Sequence, residues 1–362
     1  MKIGTLNYHN AYNYGAVFQA AALQNIIESL GHDCHIIDYK NESVEEQYKY
    51  KPLTLNRSFL SNLRANIVIM PFIRKKKQNF EKWFRSYKAT GRVQKDELAS
   101  LADDFDKIVV GSDQVWNMKC QGEDLSFLLN FAPNEKKIAY AASFGTYDIN
   151  PKYESVFQYC LSGFKAISTR EERGTEIVKQ LTGKETPCVM DPVLLIGREF
   201  WEKCMADSVI NEEYIFVYQL GHGTEIPVFT KLLAKELKLP MVFVTAHIGN
   251  IVKYRFKDKN KSTASPEEFL RLLANSKYVV TNSFHATALA LLFKKQFNVV
   301  VKGDGKATYN TRIYSLLERY SLENRITERF ENADIGDVDY KRFDEKIEAD
   351  RENSIDFLKS AL

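Results

Sequence analysis

The sequence predicts an α/β protein made of two Rossmann-like, doubly wound domains that face a cleft. Three observations carry this. Short apolar runs rich in Val and Ile alternate with helical patterns, the order expected of parallel strands joined by crossover helices. The alternation lapses near residues 208–213 and then starts again. The length of 362 residues is long for one core and natural for two.

The first forty residues read as a βαβ unit. Ile3 to Leu6 is a strand, residues 7–15 a polar and aromatic loop, and Ala16 to Leu30 a helix with Val17, Ala20, Ala21, Leu23 and Ile27 at helical spacing. Gly31 ends that helix, and Cys34 to Ile37 is the next strand. Further strands are predicted at Lys107 to Val110, Lys137 to Ser143 and Lys165 to Thr169, with a helix over Arg173 to Leu181. The first domain is assigned to residues 1–208. The second, 209–335, carries strands at Tyr214 to Tyr218, Met241 to Thr245, Tyr278 to Thr281 and Phe297 to Val301. Its helices are Thr224 to Leu237, Ser265 to Ala274 and Ala286 to Phe293. Ser265-Pro266-Glu267-Glu268 opens the second with a cap, a proline at the first position and acids in the first turn. Residues 336–362 form a charged helical extension.

Hydrophobic content of 44% and charged content of 27% describe an ordinary globular chain. No apolar run reaches the roughly 18 residues of a membrane span, and the N-terminus goes straight into a strand, so a cytoplasmic location is expected. Cys34, Cys120, Cys160, Cys188 and Cys204 are odd in number and contain no CxxC, which argues against a disulfide framework or a thiolate zinc site. His32 and His35 straddle a turn and a strand and are not read as metal ligands; no metal is expected.

Charge is uneven. The net value is +3, yet residues 55–92 hold ten Lys or Arg against Glu81 alone. This basic segment also carries Phe59, Leu63, Ile67, Ile69, Met70 and Phe72, the composition of an amphipathic helix. Two readings stand: peripheral contact with an anionic membrane at its inner face, or a solvated face on a helix packed against its own domain. Nucleic acid is not expected as a partner, because no recognition motif accompanies the cluster.

The most informative stretch is Tyr278 to Phe293: a strand, a polar turn of Asn282 and Ser283, then an apolar helix that opens at His285. Free backbone N–H groups and the helix dipole make such an end an anion site, where a histidine can donate a hydrogen bond or a proton. Ser283 can equally be a plain N-cap.

Several pieces together resemble the polysaccharide pyruvyl transferase family over roughly Lys2 to Arg325. They are Asn13-Tyr14-Gly15-Ala16 with Leu23-Gln24, Gly111-Ser112-Asp113-Gln114-Val115-Trp116-Asn117, Tyr140-Ala141-Ala142-Ser143-Phe144-Gly145, Ser168-Thr169-Arg170-Glu171, Asp191-Pro192-Val193-Leu194-Leu195 and Thr281-Asn282-Ser283-Phe284-His285. The resemblance implies a fold of the glycosyltransferase B kind. It implies transfer of a pyruvyl unit from phosphoenolpyruvate, as co-substrate, onto two hydroxyls of a sugar. The product is a cyclic ketal on a surface-polysaccharide intermediate such as a lipid-linked oligosaccharide, formed without cofactor or metal. One position departs: Ser283 stands where better-known members resemble a pattern with Arg. The competing functions are a nucleotide-sugar-dependent glycosyltransferase and a non-catalytic glycan-binding relative.

Such chemistry needs an acid, a base and an anion clamp. His285 and Asp113 are the catalytic candidates, with His9 a weaker one. Arg170, at a strand end, suits a carboxylate or phosphate, or a salt bridge to Glu171, Glu172 or Asp191. Asn282, Ser283, Lys302 and Arg312 complete the donor set, the last two as replacements for the charge missing at Ser283. Asn10, Asn13, Tyr14, Gln114 and Trp116 are the acceptor candidates; Trp116 is either a sugar platform or a core residue.

Overall fold

The computed structural model describes residues 1–48, 59–207, 210–221, 225–245, 259–301 and 311–362. The strands are β1 (Lys2–Leu6), β2 (Asp33–Ile36), β3 (Lys107–Val110), β4 (Lys137–Ala142), β5 (Ala166–Thr169), β6 (Ile215–Gln219), β7 (Met241–Thr245), β8 (Tyr278–Thr281), β9 (Gln296–Val300) and β10 (Ile326–Thr327). They form two five-stranded sheets, ordered β2-β1-β3-β4-β5 and β10-β9-β8-β6-β7, and the pairs in both are parallel. The helices used below are α1 (Tyr14–Ser29), α2 (Glu42–Tyr48), α3 (Phe59–Phe84), α4 (Leu98–Leu101), α5 (Met118–Gln121), α6 (Glu154–Ser162), α7 (Glu172–Thr182), α8 (Pro192–Leu195), α9 (Arg198–Cys204), α10 (Glu225–Leu237), α11 (Pro266–Ala274), α12 (Phe284–Leu292), α13 (Thr311–Arg319) and α14 (Lys341–Ala361).

This is the two-sheet α/β architecture expected. The central strands are buried on both faces, so they read as continuous apolar runs. The predicted domain boundary falls at residues 208–209, outside the described residues. The two-residue β10 escaped the sequence reading, since a strand that short has no period to detect.

Helix starts carry the local logic. Asn13 caps α1, its side chain accepting from Gly15 N, and the helix begins two residues before Ala16. Beyond the other end Gly31 takes φ 87°, the left-handed conformation that glycine adopts without strain. Ser265 and Glu268 form a reciprocal capping box on α11, with Pro266 in the first turn. Every residue of α12 is buried, because the helix lies between the two domains rather than on a surface.

One apolar cluster runs through both domains, beside a smaller one within each. Val17 and Phe18 of α1 belong to the same apolar cluster as Phe269 of α11 and Leu289 of α12. Tyr14 bolts the two halves together: its ring stacks on Phe269 at 4.2 Å and its hydroxyl donates to Ala264 O at 2.7 Å. Most of the basic segment is one 26-residue helix, α3, with Pro71 inside it. It spans both domains. Trp83 meets Phe18 at 5.8 Å, while Asn79 Nδ2 donates to Thr263 O at 2.7 Å and Lys76 Nζ to Thr245 O at 3.2 Å. Leu63 and Ile67 remain exposed.

The C-terminal extension also crosses. Phe343 of α14 packs on Tyr320 and Asp350 takes both ends of the Arg319 fork at 2.7 Å. Further along, Ser354 Oγ accepts from Met190 N at 3.0 Å and Phe357 lies by Tyr140 of β4. The last helix therefore straps the second half of the chain to the first sheet. No helix among the described residues is long and apolar enough to cross a membrane.

Candidate functional site

The site begins with the C-terminal ends of β3 and β5, where parallel sheets of this type present their loops. After β3 the chain turns through Gly111, at φ 119°, where a Cβ would run into Tyr140 O, so only glycine fits. Asp113 follows at φ 73°, a conformation that aspartate tolerates better than most residues. The turn is held by Ser143 N donating to Asp113 O at 3.0 Å.

Arg170, just past β5, is the centre. Its side chain is 1% exposed. Nη1 donates to Asp191 Oδ2 at 2.9 Å, Nη2 donates to Asp113 Oδ1 at 3.2 Å, and Nε lies 3.8 Å from Glu171 Oε2. The guanidinium sits over the Phe284 ring at 4.3 Å. Asp191 divides its oxygens. Oδ1 accepts from Val193 N and caps α8, while Oδ2 also accepts from Ser112 Oγ at 3.1 Å.

The second domain supplies His285 and Arg312. His285 stands in the first turn of α12, its Nε2 buried without a hydrogen-bond partner and 3.6 Å from Asp191 Oδ2. The imidazole lies on Gly15 of α1; a Cβ at Gly15 would overlap Nδ1. Arg312, in the first turn of α13, reaches across to Asp113 Oδ1 at 3.6 Å. The Gln114 amide can accept from Asn117 Nδ2 at 2.9 Å or, rotated, from Arg312 Nη1 and Nη2 at 3.1 and 3.0 Å.

The charges settle each other. Burial pushes Asp191 toward neutrality, but His285 and Arg170 outweigh it and hold the carboxyl well below its usual range. Asp113 is held low in the same way, burial being outweighed by Arg170, His285 and Arg312. Glu171 goes the other direction: burial dominates Arg170 and the Ser143 hydroxyl, and its pKa rises. For Arg312, burial and repulsion from Arg170 outweigh the acids and lower it. Two guanidinium groups thus face two firmly ionised carboxylates and one that takes a proton more readily than usual. A cleft of about 550 Å³ opens beside this cluster, lined among others by Arg170, Glu171, Asp191, Phe284, Arg312 and Arg319. His285 does not line it; it meets that wall through Asp191 and its neighbour Phe284.

The sequence candidates separate accordingly. Asp113, Arg170, Arg312, Gln114 and His285 come together. Asn282 and Ser283 do not face the cluster: Asn282 clamps the backbone of Leu220 at 2.8 and 2.9 Å, and Ser283 caps α12 by accepting from Ala286 N at 3.4 Å. Asn13 is the α1 cap and Tyr14 the interdomain bolt, both occupied by structure. The platform role considered for Trp116 does not fit its placement. The ring is 1% exposed and its Nε1 donates to Phe127 O at 3.2 Å, which leaves no open face for a sugar. His9 pairs with Asp38 at 3.1 Å, and Asn10 lies near the same carboxylate. Lys302 lies outside the described residues. Among the described residues no group of three His, Cys, Asp or Glu is arranged to hold a metal. Asp191, Glu171 and Ser112 were not singled out as site residues. Beyond its motif, Asp191 enters the sequence reading only as a possible ion-pair partner of Arg170, and nothing local shows that one of its oxygens caps α8 while the other serves Arg170 and Ser112.

Two parallel five-stranded sheets with helices define a glycosyltransferase B-like α/β protein, and solved structures agree on the fold. UDP-GlcNAc 2-epimerase from Neisseria meningitidis is similar with TM-score 0.50 at 10% identity, over 99% of this chain and 94% of that one. The Rickettsia bellii UDP-N-acetylglucosamine 2-epimerase gives 0.50 at 11%, over 99% and 96%. The wall teichoic acid polymerase TagF gives 0.51 at 11%, over 99% and 82%. Identities this low speak to fold alone. The chain belongs to the polysaccharide pyruvyl transferase family, whose sequence model matches residues 13–301. Comparison with curated proteins gives no match.

Two predictions follow from the packing of this cluster. Replacing Asp191 with Asn leaves Arg170 short of a buried counter-charge and should cost about 3–5 kcal/mol in urea unfolding at neutral pH. The Asp191 contribution is full above the ordinary carboxylate range and is lost as pH falls toward its depressed value, so the gap between wild type and variant should narrow in acid. Gly15→Ala should displace the imidazole of His285, lowering stability by about 1–3 kcal/mol and activity far more. A Gly15→Ala protein with unchanged melting temperature and turnover would remove that contact from the account.

Proposed function

We propose that the protein transfers a pyruvyl unit from phosphoenolpyruvate to two hydroxyls of a sugar in a surface-polysaccharide intermediate, forming a cyclic ketal. One observation carries the reading. Arg170 of the first domain and Arg312 of the second converge on Asp113, beside a histidine whose buried Nε2 makes no hydrogen bond and faces Asp191 Oδ2 at 3.6 Å. The charge absent at Ser283 is thereby available from Arg312, which enters from a different helix.

In this reading the two arginines hold the donor's carboxylate and phosphate. His285 delivers a proton to the methylene carbon, and the central carbon becomes electrophilic. A sugar hydroxyl attacks it, its proton passing to a base for which Asp113 is the candidate. Inorganic phosphate leaves with the proton held by that base, and the second hydroxyl closes the ring, its proton returning to His285. Glu171, protonated more readily than usual, relieves the negative charge that an anionic donor would meet. No cofactor enters this scheme. The acceptor we favour is a lipid-linked oligosaccharide at the inner face of the membrane. Exposed Leu63, Ile67 and Phe72 beside the cationic Arg74, Lys75 and Lys77 on α3 support peripheral contact with anionic lipid. Flotation with anionic vesicles at low salt checks this contact, and absence of binding there would refute it.

The donor test is a thermal-shift titration with phosphoenolpyruvate beside uridine and guanosine diphosphate sugars. At about a hundred times its Kd, phosphoenolpyruvate should stabilise the protein by about 2.7 kcal/mol. Phosphate release in the presence of a lipid-linked oligosaccharide extract should then fall by about a hundredfold or more in His285→Gln. Intact turnover in that variant would overturn the role of His285. A response to nucleotide sugars alone would make the protein a glycosyltransferase, and a response to neither would favour a glycan-binding role.

A further inference from the structure

Lys76 is an unexpected charge among the described residues. It belongs to α3, in the basic segment, yet it is only 8% exposed. Its ammonium donates to one acceptor, Thr245 O at 3.2 Å, and lies over the rings of Tyr14 and Phe80 at 5.4 and 5.8 Å. No carboxylate pairs with it among the described residues, although its neighbour Lys77 pairs with Glu81 at 3.6 Å. Burial alone lowers its pKa to about 8; no charged group offsets the loss of water. A buried ion normally carries a partner, because desolvation is otherwise uncompensated. Three N–H donors serve one carbonyl here, so the ammonium keeps hydrogen-bonding capacity in hand. Packing needs do not call for a lysine at this position, since Met would fill the same channel between Tyr14 and Phe80.

Its place in the fold says what it would serve. Thr245 is the last residue of β7, so Lys76 meets the C-terminal edge of the second sheet, where ligands of such sheets lie. β6 separates β7 from β8, the strand that leads to His285. Two strand spacings put Thr245 about 10 Å from Thr281. That is too far for one molecule as small as phosphoenolpyruvate to touch both ends. Tyr14, whose ring faces Lys76, directly precedes Gly15, on which His285 rests, so the two points belong to one interdomain seam.

We infer that Lys76 is a ligand for a phosphoryl group of the sugar substrate, held at the β7 end of this seam while the sugar reaches the His285 cluster. The inference rests on the proposed transfer reaction for the identity of the second substrate, but the anion site itself does not. The chemistry it recognises is a diphosphate-linked sugar, whether the diphosphate is joined to a nucleoside or to a lipid carrier.

Isothermal titration of the full chain tests it, with pyrophosphate, uridine diphosphate, a short prenyl diphosphate and phosphoenolpyruvate as probes. Lys76→Met should fold with an unchanged or higher melting temperature, since an unpaired buried charge is removed. It should bind the diphosphates at least about tenfold more weakly than wild type and phosphoenolpyruvate equally well. Lys76→Gln should behave alike, which guards against a packing effect of Met. Similar losses with all three diphosphates identify the diphosphate as the recognised group. Loss confined to uridine diphosphate assigns a nucleotide carrier, and loss confined to the prenyl compound a lipid one. Unchanged diphosphate affinity in both variants, no diphosphate binding by wild type, or a loss seen only for phosphoenolpyruvate each overturns the inference. If wild type ignores phosphoenolpyruvate but binds diphosphates through Lys76, the transfer reaction fails while this site stands.

Discussion

The buried guanidinium of Arg170 is the constraint on which the rest of the site depends. Arginine stays protonated, so enclosing it obliges the fold to bring acceptors to it. Asp113 arrives from the turn after β3, Glu171 from the start of α7, and Asp191 from the cap of α8. Two loops distant in sequence, together with the adjacent Glu171, are thus fixed against one side chain. Asp191 extends the same arrangement to Ser112 and toward His285, and Asp113 extends it to Arg312. The cluster crosses the domain boundary because its acids sit on one side and its second cation on the other.

The apolar seam between the domains makes that crossing rigid. α12 is buried on all sides, α1 lies against it, and Gly15 lets the imidazole approach the α1 backbone. Tyr14, one residue earlier, is committed to Ala264 and Phe269. Adjacent residues therefore divide two tasks: one fastens the domains, and the other, by having no side chain, leaves room for the histidine. α3 and α14 add struts from opposite directions, α3 reaching Thr245 and Thr263, α14 reaching Met190 and Lys165. With these elements in place, a cation such as Lys76 can be carried to a sheet edge far from its own neighbours in sequence.

Reading the sequence recovered the α/β class and most strands to within a residue or two, because strands buried on both faces write themselves as short apolar runs. It also located His285 at a helix start after β8, since an N-cap, a polar turn and an apolar helix are all local signals. It placed Arg170 and Asp113 at strand ends for the same reason. Ser283 was legible as a cap, and the structure uses it as one; Asn13, expected among the acceptor contacts, caps α1 instead.

What the sequence determined alone is the order of elements and the chemistry available at each loop, because hydrogen-bond periodicity and capping act over a few residues. Partnership was decided by tertiary structure. Trp116 became core rather than a platform, Tyr14 an interdomain bolt rather than a ligand contact, and Asp191 the shared acceptor of Ser112 and Arg170, only when distant loops met. The physical reason is range. Desolvation and charge pairing depend on which groups lie within a few ångströms after folding, and Asp191 is separated from Ser112 by 79 positions along the chain. Lys76 shows the same limit, since nothing around it in sequence distinguishes a solvated lysine from one enclosed by aromatic rings and a backbone carbonyl.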